Sequence, residues 1–345
     1  MCVARMTAVS ICVLGAGVVG MTTALELRAQ MPSAMTTVIA DKFREATTSD
    51  GAAGIFRPGS NFSGETPEIT KKWIHDSYTY YNDLYSSDHA ELAGVDQVSG
   101  FMFSNISEDI VRNHLLEGLV PTYRAASEEE LHIYPGGWKH GSFFTTLVTD
   151  CRKFLPWAMY RFQESGGTIQ NKTVKNLMEL TKEFDFVVNC SGLGARQLCS
   201  DKKMVPIRGQ VLKVQAPWMK MALYAENDTY IIPSSSSVTV GGCRQYDSYD
   251  LSVSPHDSAA IKERAYRLLP ALRSAPVDRE WVGLRPHRSV VRVEPEVCRS
   301  PAGTLKVVHN YGHGGYGVTS APGTARYAVK LLKELHSAGV GNSKL

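Results

Sequence analysis

The sequence predicts an α/β fold in which a helix-flanked parallel sheet is interleaved with a mixed, largely antiparallel β-sheet domain. Three observations predict it. A strand, glycine turn, helix and second strand follow one another at the start of the chain; alternating apolar segments fill residues 206–241; and glycine turns follow apolar segments at 15–20, 192–194 and 312–317. At 345 residues the chain exceeds one ordinary core, which suggests two domains.

The first element is the apolar run in SICVLGAGVVGMTTALELRAQ, followed by Gly15, Ala16, Gly17, Val18, Val19 and Gly20 and then a helical pattern through Ala24, Leu25 and Leu27. TTVIAD supplies a second strand that ends on Asp41. Strand, G-x-G-x-x-G turn, helix, strand and terminal acid are the context of the Rossmann dinucleotide fingerprint. Gly15 permits the tight turn, Gly17 a close backbone approach to pyrophosphate, and Gly20 close packing of helix on strand. The phosphates would meet the unpaired N–H groups of a helix N-terminus. Asp41 would accept hydrogen bonds from a ribose.

KFREATTSDGAAGIFRPG then reads as a polar, glycine-rich loop rather than a second crossover helix. A helix is expected from Lys71 to Tyr85, a strand at SGFMFS, an amphipathic helix at FLPWAMYRFQESG and a buried strand at FDFVVNC. RGQVLKVQAPW and TYIIPSSSSVTVGGCRQ alternate as antiparallel strands do, with the serine run as a hairpin turn. KVVHNYGHGGYGVTSAPGTARYAVKLLKEL closes with strand, glycine loop and helix. A cofactor held at several strand ends requires close backbone approach at each. A long flavin dinucleotide, FAD, fits three such turns better than a transiently bound nicotinamide.

Composition excludes some partners. The net charge of +3 is dispersed, with no basic run longer than a Lys-Lys pair, which argues against nucleic acid. No apolar stretch approaches the ~20 residues of a membrane span, so no membrane is expected. The seven cysteines form no CxxC and no metal-ligand spacing, so no metal is expected and reduced thiols in an intracellular protein are. Five N-x-S/T sequons are read as chance, because Asn189 lies in an apparent buried strand.

GAGVVG, TTSDGAAG, VVNCSGLGARQL, RGQVLKVQAPW, YIIP, GGCRQ, VGLRPHR and HNYGHGGYGVT together resemble the D-amino-acid oxidase family, in family order over roughly residues 8–335. The resemblance implies a Rossmann-like FAD-binding domain (7–58, 142–205 and 282–340) interleaved with a mixed, largely antiparallel β-sheet substrate domain (59–141 and 206–281). It implies non-covalent FAD, with phosphates at Gly15 to Gly20, ribose at Asp41 and Lys42 adjacent. Thr47, Thr48, Ser49, Gly54 and Ile55 match the loop beside pyrophosphate and flavin, and Val174 and Ser191 match further contacts. Gly314, Gly315, Tyr316, Gly317, Val318 and Thr319 match the loop facing the flavin's pyrimidine end.

The same resemblance implies a D-amino acid as substrate and oxygen as acceptor. Arg285 matches the arginine that forks onto the α-carboxylate, Tyr230 the tyrosine that supports it, and the Gly315 carbonyl the acceptor for the amino group. A planar guanidinium suits two-pronged carboxylate recognition. The chemistry demands no nucleophile, and there is no G-x-S-x-G elbow. Arg288 and Arg292 read as surface charges.

GGCRQ poses a separate question, because a buried guanidinium is costly without an anion and no acid lies nearby in sequence before Asp247. Within the family, Arg244 matches the side-chain-binding arginine of members that oxidise acidic D-amino acids. Those members can carry a further arginine in the loop shortly after the APW motif, and here Tyr224 stands about where it would be. Arg57 is either its substitute or a solvated loop residue, and Glu226 and Asp228 would repel an acidic substrate if they faced inward. Three readings remain: an oxidase of acidic D-amino acids, an oxidase of neutral ones with Arg244 occupied by the protein, and a flavin-binding sensor without turnover. The chain ends Ser343-Lys344-Leu345, an address read by the peroxisomal import receptor, after an expected flexible AGVGN spacer. The peroxisomal matrix is the expected location, with residues 341–345 as the targeting tail.

Overall fold

The computed structural model describes residues 8–59, 62–301 and 303–341. Two sheets organise it. The first runs in the order Pro295–Ser300, Gly303–His309, Phe186–Asn189, Ser10–Leu14, Met35–Ala40, Thr168–Asn171. It is parallel except for the edge hairpin Pro295–Ser300/Gly303–His309. Its central strands are continuous apolar runs because both faces are covered: all four residues of Phe186–Asn189 are buried.

Helix Val18–Gln30 packs between helices Gly317–Gly341 and Cys151–Glu164, and Pro67–Tyr85 packs on Gly317–Gly341. The first of these helices ends at Gln30, two residues before Pro32. On the opposite face Cys12, Leu14, Ile39 and Val187 pack with Leu177, Leu180 and Leu305.

The second sheet runs Tyr311–His313, Val277–Arg292, Val205–Val214, Val238–Gly241, Thr229–Pro233, Met221–Ala225, Val95–Ser104, His140–Thr149, Thr122–Ala125, with Gln245–Tyr246 also on Val205–Val214. Its pairings are antiparallel except Val95–Ser104 with Met221–Ala225, so it is mixed and largely antiparallel. The serine run is the expected hairpin turn, closed by the Ser234 N–H donating to the Ser237 carbonyl at 2.9 Å.

Two details differ from the sequence expectation. The divisions drawn at 142 and 282 fall inside the strands His140–Thr149 and Val277–Arg292, whose hydrogen-bonded ladders carry them further through the second sheet. The stretch Ala338–Gly341, expected as a flexible spacer, continues the last helix in spite of its two glycines. Asn342 and the Ser-Lys-Leu end lie outside the described residues. Among the described residues no helix is long and apolar enough to cross a membrane.

Candidate functional site

A cavity of about 920 Å³ lies where the two sheets meet, lined by strand ends and loops of both. One end is built by the first glycine turn. Gly15 has φ +112°, and a Cβ there would lie 2.4 Å from the Cys190 carbonyl oxygen, so no other residue fits without movement. Gly20 does not line the cavity; a Cβ on it would meet the Gly15 carbonyl at 1.9 Å, so it serves the packing of helix on strand. Ala16, Gly17, Val18 and Val19 line the wall, at a helix N-terminus with no acid in its first turn. The Val18 N–H donates to Ser49 Oγ at 3.0 Å. Asp41 and Lys42, both exposed, follow the second strand and line the same end, as do Val174 and Ser191.

The loop holding Thr47, Thr48 and Ser49 is pinned from below. Asp50, 2% exposed, accepts from Arg279 at 2.7 Å and lies 3.6 Å from Arg152. The Thr48 hydroxyl donates to the Leu284 carbonyl at 3.3 Å. Gly54 and Ile55 continue the wall, and the Thr319 hydroxyl donates to the Ile55 carbonyl at 3.3 Å, which ties this segment to Gly314–Thr319. That last segment is a short turn, Gly314–Tyr316, leading into the N-terminus of Gly317–Gly341, again without an acid in the first turn. Its free N–H groups favour negative charge in the cavity. A cavity with a glycine wall and two helix N-termini side by side, where a Cβ on Gly317 would lie 3.8 Å from Val18 Cγ1, suits the anionic phosphates of a dinucleotide.

The substrate candidates occupy the remaining wall. The Arg285 side chain lies over Gly209, where a Cβ would sit 2.1 Å from Nη1, and Nη1 donates to the Cys243 carbonyl at 3.1 Å. Among the described residues no carboxylate pairs with it. The Tyr230 ring lies against Gly241 and Gly242, where Cβ atoms would approach to 2.1 and 2.7 Å. Burial raises its phenol pKa while Arg285 and Arg244 oppose the rise, so the hydroxyl stays a proton donor. Gly315 packs beside the Arg285 aliphatic chain.

Arg244 corrects an expectation. Its partner belongs to the protein: Nε lies 3.0 Å from Asp228 Oδ1, on the tip of the hairpin Met221–Ala225/Thr229–Pro233. Nor is it deeply buried, with a side chain 44% exposed. Glu226 turns away from the cavity, its carboxylate accepting from the Ser104 hydroxyl at 2.9 Å and from the Asn105 N–H. Arg57 is half-buried rather than a solvated loop residue, its Cζ 4.8 Å from the Tyr224 ring centroid. Arg288 and Arg292 are not surface charges either. They are 15% and 16% exposed, and they pair with Asp201 and with Glu294 and Glu296.

Trp281 and His287 also line the cavity and were missed. The signal was available: in WVGLRPHR both are an even number of residues from Arg285 on one strand, hence on its face. Asp228 had no such signal, because its pairing crosses between chain segments.

The family model described as FAD dependent oxidoreductase (DAO) matches residues 10–331. Human D-aspartate oxidase is 40% identical over 328 residues, 94% of each chain, and D-aspartate oxidase 1 of Caenorhabditis elegans is 34% identical over 97% of this chain and 99% of its own. In fold, glycine oxidase from Bacillus cereus superposes with a TM-score of 0.78 at 17% identity, covering 94% of this chain and 95% of its own.

Proposed function

The chain belongs to the D-amino-acid oxidase family of FAD-dependent oxidoreductases, and from that premise we propose that it oxidises acidic D-amino acids. The substrates on this reading are D-aspartate, D-glutamate and N-methyl-D-aspartate, and the products are the 2-oxo acid, the amine or ammonia, and hydrogen peroxide. The observation that carries it is the gathering of three guanidinium groups, Arg285, Arg244 and Arg57, on one cavity wall, with carboxylate pairing only at Arg244 among the described residues.

Bound FAD supplies the hydride acceptor, which oxygen then reoxidises. Arg285 forks onto the α-carboxylate, the Tyr230 hydroxyl donates to the same group, and the Gly315 carbonyl accepts from the amino group. Together they fix which face of the substrate Cα is presented, a matter of orientation rather than proton transfer. Asp41 would accept from the ribose hydroxyls, Gly17 would let the backbone close on the phosphates, and the N–H groups of Gly314–Thr319 would stabilise negative charge on the cofactor.

A peroxide-coupled assay on D-Asp, D-Glu, D-Ala and their L forms tests this. An unmatched carboxylate or cation costs ~2–5 kcal/mol, so D-Asp should exceed D-Ala by roughly one to three decades in kcat/KM. Arg285→Leu should depress every substrate, since all present an α-carboxylate. Equal or better turnover of D-Ala would reject the acidic reading in favour of neutral substrates, which the Asp228–Arg244 pair favours.

The peroxisomal matrix is the proposed location, through Ser343-Lys344-Leu345 and the import receptor, because a peroxide-forming oxidase belongs beside catalase. A tagged protein lacking those three residues should become cytosolic. An unchanged distribution would reject the address.

A further inference from the structure

We infer that Arg57, not Arg244, holds the second carboxylate of the substrate; this rests on the acidic-substrate reading above. The segment carrying Arg57 is fixed, and the Arg57 N–H donates to the Ile55 carbonyl at 3.0 Å. The Phe56 N–H donates to the Leu147 carbonyl at 2.7 Å, Ile55 bridges to Val148, and the Phe56 ring is buried against Tyr78. Ile55 and Arg57 both line the cavity.

The guanidinium is held but not satisfied. It stacks at 4.8 Å on the Tyr224 ring, which itself lies 6.0 Å from the Tyr230 ring. Stacking engages the face of a guanidinium and leaves its in-plane N–H groups free to fork onto a carboxylate. Among the described residues its side chain has one hydrogen-bond acceptor, the Met102 thioether at 2.8 Å, a weak one. A half-buried cation with five donors and a single sulfur acceptor has donors left to offer an anion.

Arg244 is in the opposite condition. Asp228 neutralises it at 3.0 Å, and both side chains reach solvent, so the pair offers a dianionic ligand little net attraction. Counting only uncompensated cations, this end of the cavity presents Arg285 and Arg57, two charges for two carboxylates. Tyr224 is the platform that positions Arg57.

The pairing of Arg244 also makes its single substitution ambiguous, because removing it exposes Asp228 to the substrate. The test therefore uses the FAD-loaded full chain with Arg57→Met, Arg57→Lys and the double variant Asp228→Asn, Arg244→Met. kcat/KM is measured for D-aspartate and for D-asparagine, which keeps the shape and drops the second charge. Arg57→Met is expected to lower the D-aspartate to D-asparagine ratio by ~10- to 100-fold, Arg57→Lys by less, and the double variant by under about threefold. Titration of flavin absorbance with succinate and butyrate reads the same preference without turnover, and Arg57→Lys serves if Arg57→Met does not fold. A wild type that prefers D-aspartate and an Arg57→Met ratio equal to it overturn the assignment while the acidic reading stands. Loss of the ratio in the double variant alone returns the role to Arg244. A wild type that prefers D-asparagine overturns both.

Discussion

Lys213 sits in the strand Val205–Val214, 5% exposed, with its ammonium donating to Thr239 Oγ1 at 2.8 Å and to the Ala52 carbonyl at 3.3 Å. Both acceptors are neutral, and burial lowers its pKa to about 8 although Asp150 and Asp50 oppose the fall. Between about pH 8 and the ordinary lysine value the unfolded chain binds a proton that the folded one does not, so stability rises with pH across that window; below it the full cost of the buried charge is present. Relative to Lys213→Met, the wild type should therefore gain on the order of 3 kcal/mol from pH 7.5 to 10.5, read from denaturant midpoints. Parallel pH profiles for the two proteins would mean that Lys213 is solvated. Legibility in sequence differed sharply at this scale. Gly15 and Gly20 were readable because the positive φ of the one and the close approach of the other to the Gly15 carbonyl belong to a single turn, whereas Arg57, Arg244 and Lys213 depend on partners that other strands deliver.

Helix Cys151–Glu164 shows how one element is joined to its surroundings. Asp150 is its N-cap, accepting from the Arg152 N–H at 3.1 Å, and the same carboxylate accepts from the hydroxyls of Ser234, Ser235 and Ser236. The serine run is thus more than a hairpin turn: it fastens the second sheet to the helix covering the first. Asp150→Ala removes a cap worth ~1 kcal/mol, and because Ser235 and Ser236 are exposed their freed hydroxyls turn to water, so the total loss should stay near ~1 kcal/mol. Thermal and urea denaturation would show it, with Asp150→Asn closer to wild type. An unchanged midpoint would mean that the hairpin holds the turn unaided. Element types were legible because apolar periodicity states them directly, as in FVVN and TYIIP. The limits near 142 and 282 were not, because pairing decides where a long strand ends and no local breaker stands at either position.

Across the whole molecule, the cavity joins the two sheets, so whatever fills it adds to global stability. A ligand at about a hundred times its Kd contributes ~2.7 kcal/mol to the folded state. Gly17→Val places a branched side chain on a wall where even a Cβ would lie 3.2 Å from Ser49 Oγ, and it should yield colourless protein of lower Tm that added FAD does not raise. A yellow, fully loaded Gly17→Val protein would show that the cofactor lies elsewhere. The sequence by itself determined the α/β class, the first turn with its three glycines and the resemblance carried by its motifs, because each is written in contiguous residues and short-range sterics. Only the tertiary structure decided that Asp228 occupies Arg244, that Tyr224 carries Arg57, and that Glu226 turns away. Those pairings follow from which strands lie side by side, and a hydrophobic pattern states that a face is buried without stating which neighbour buries it.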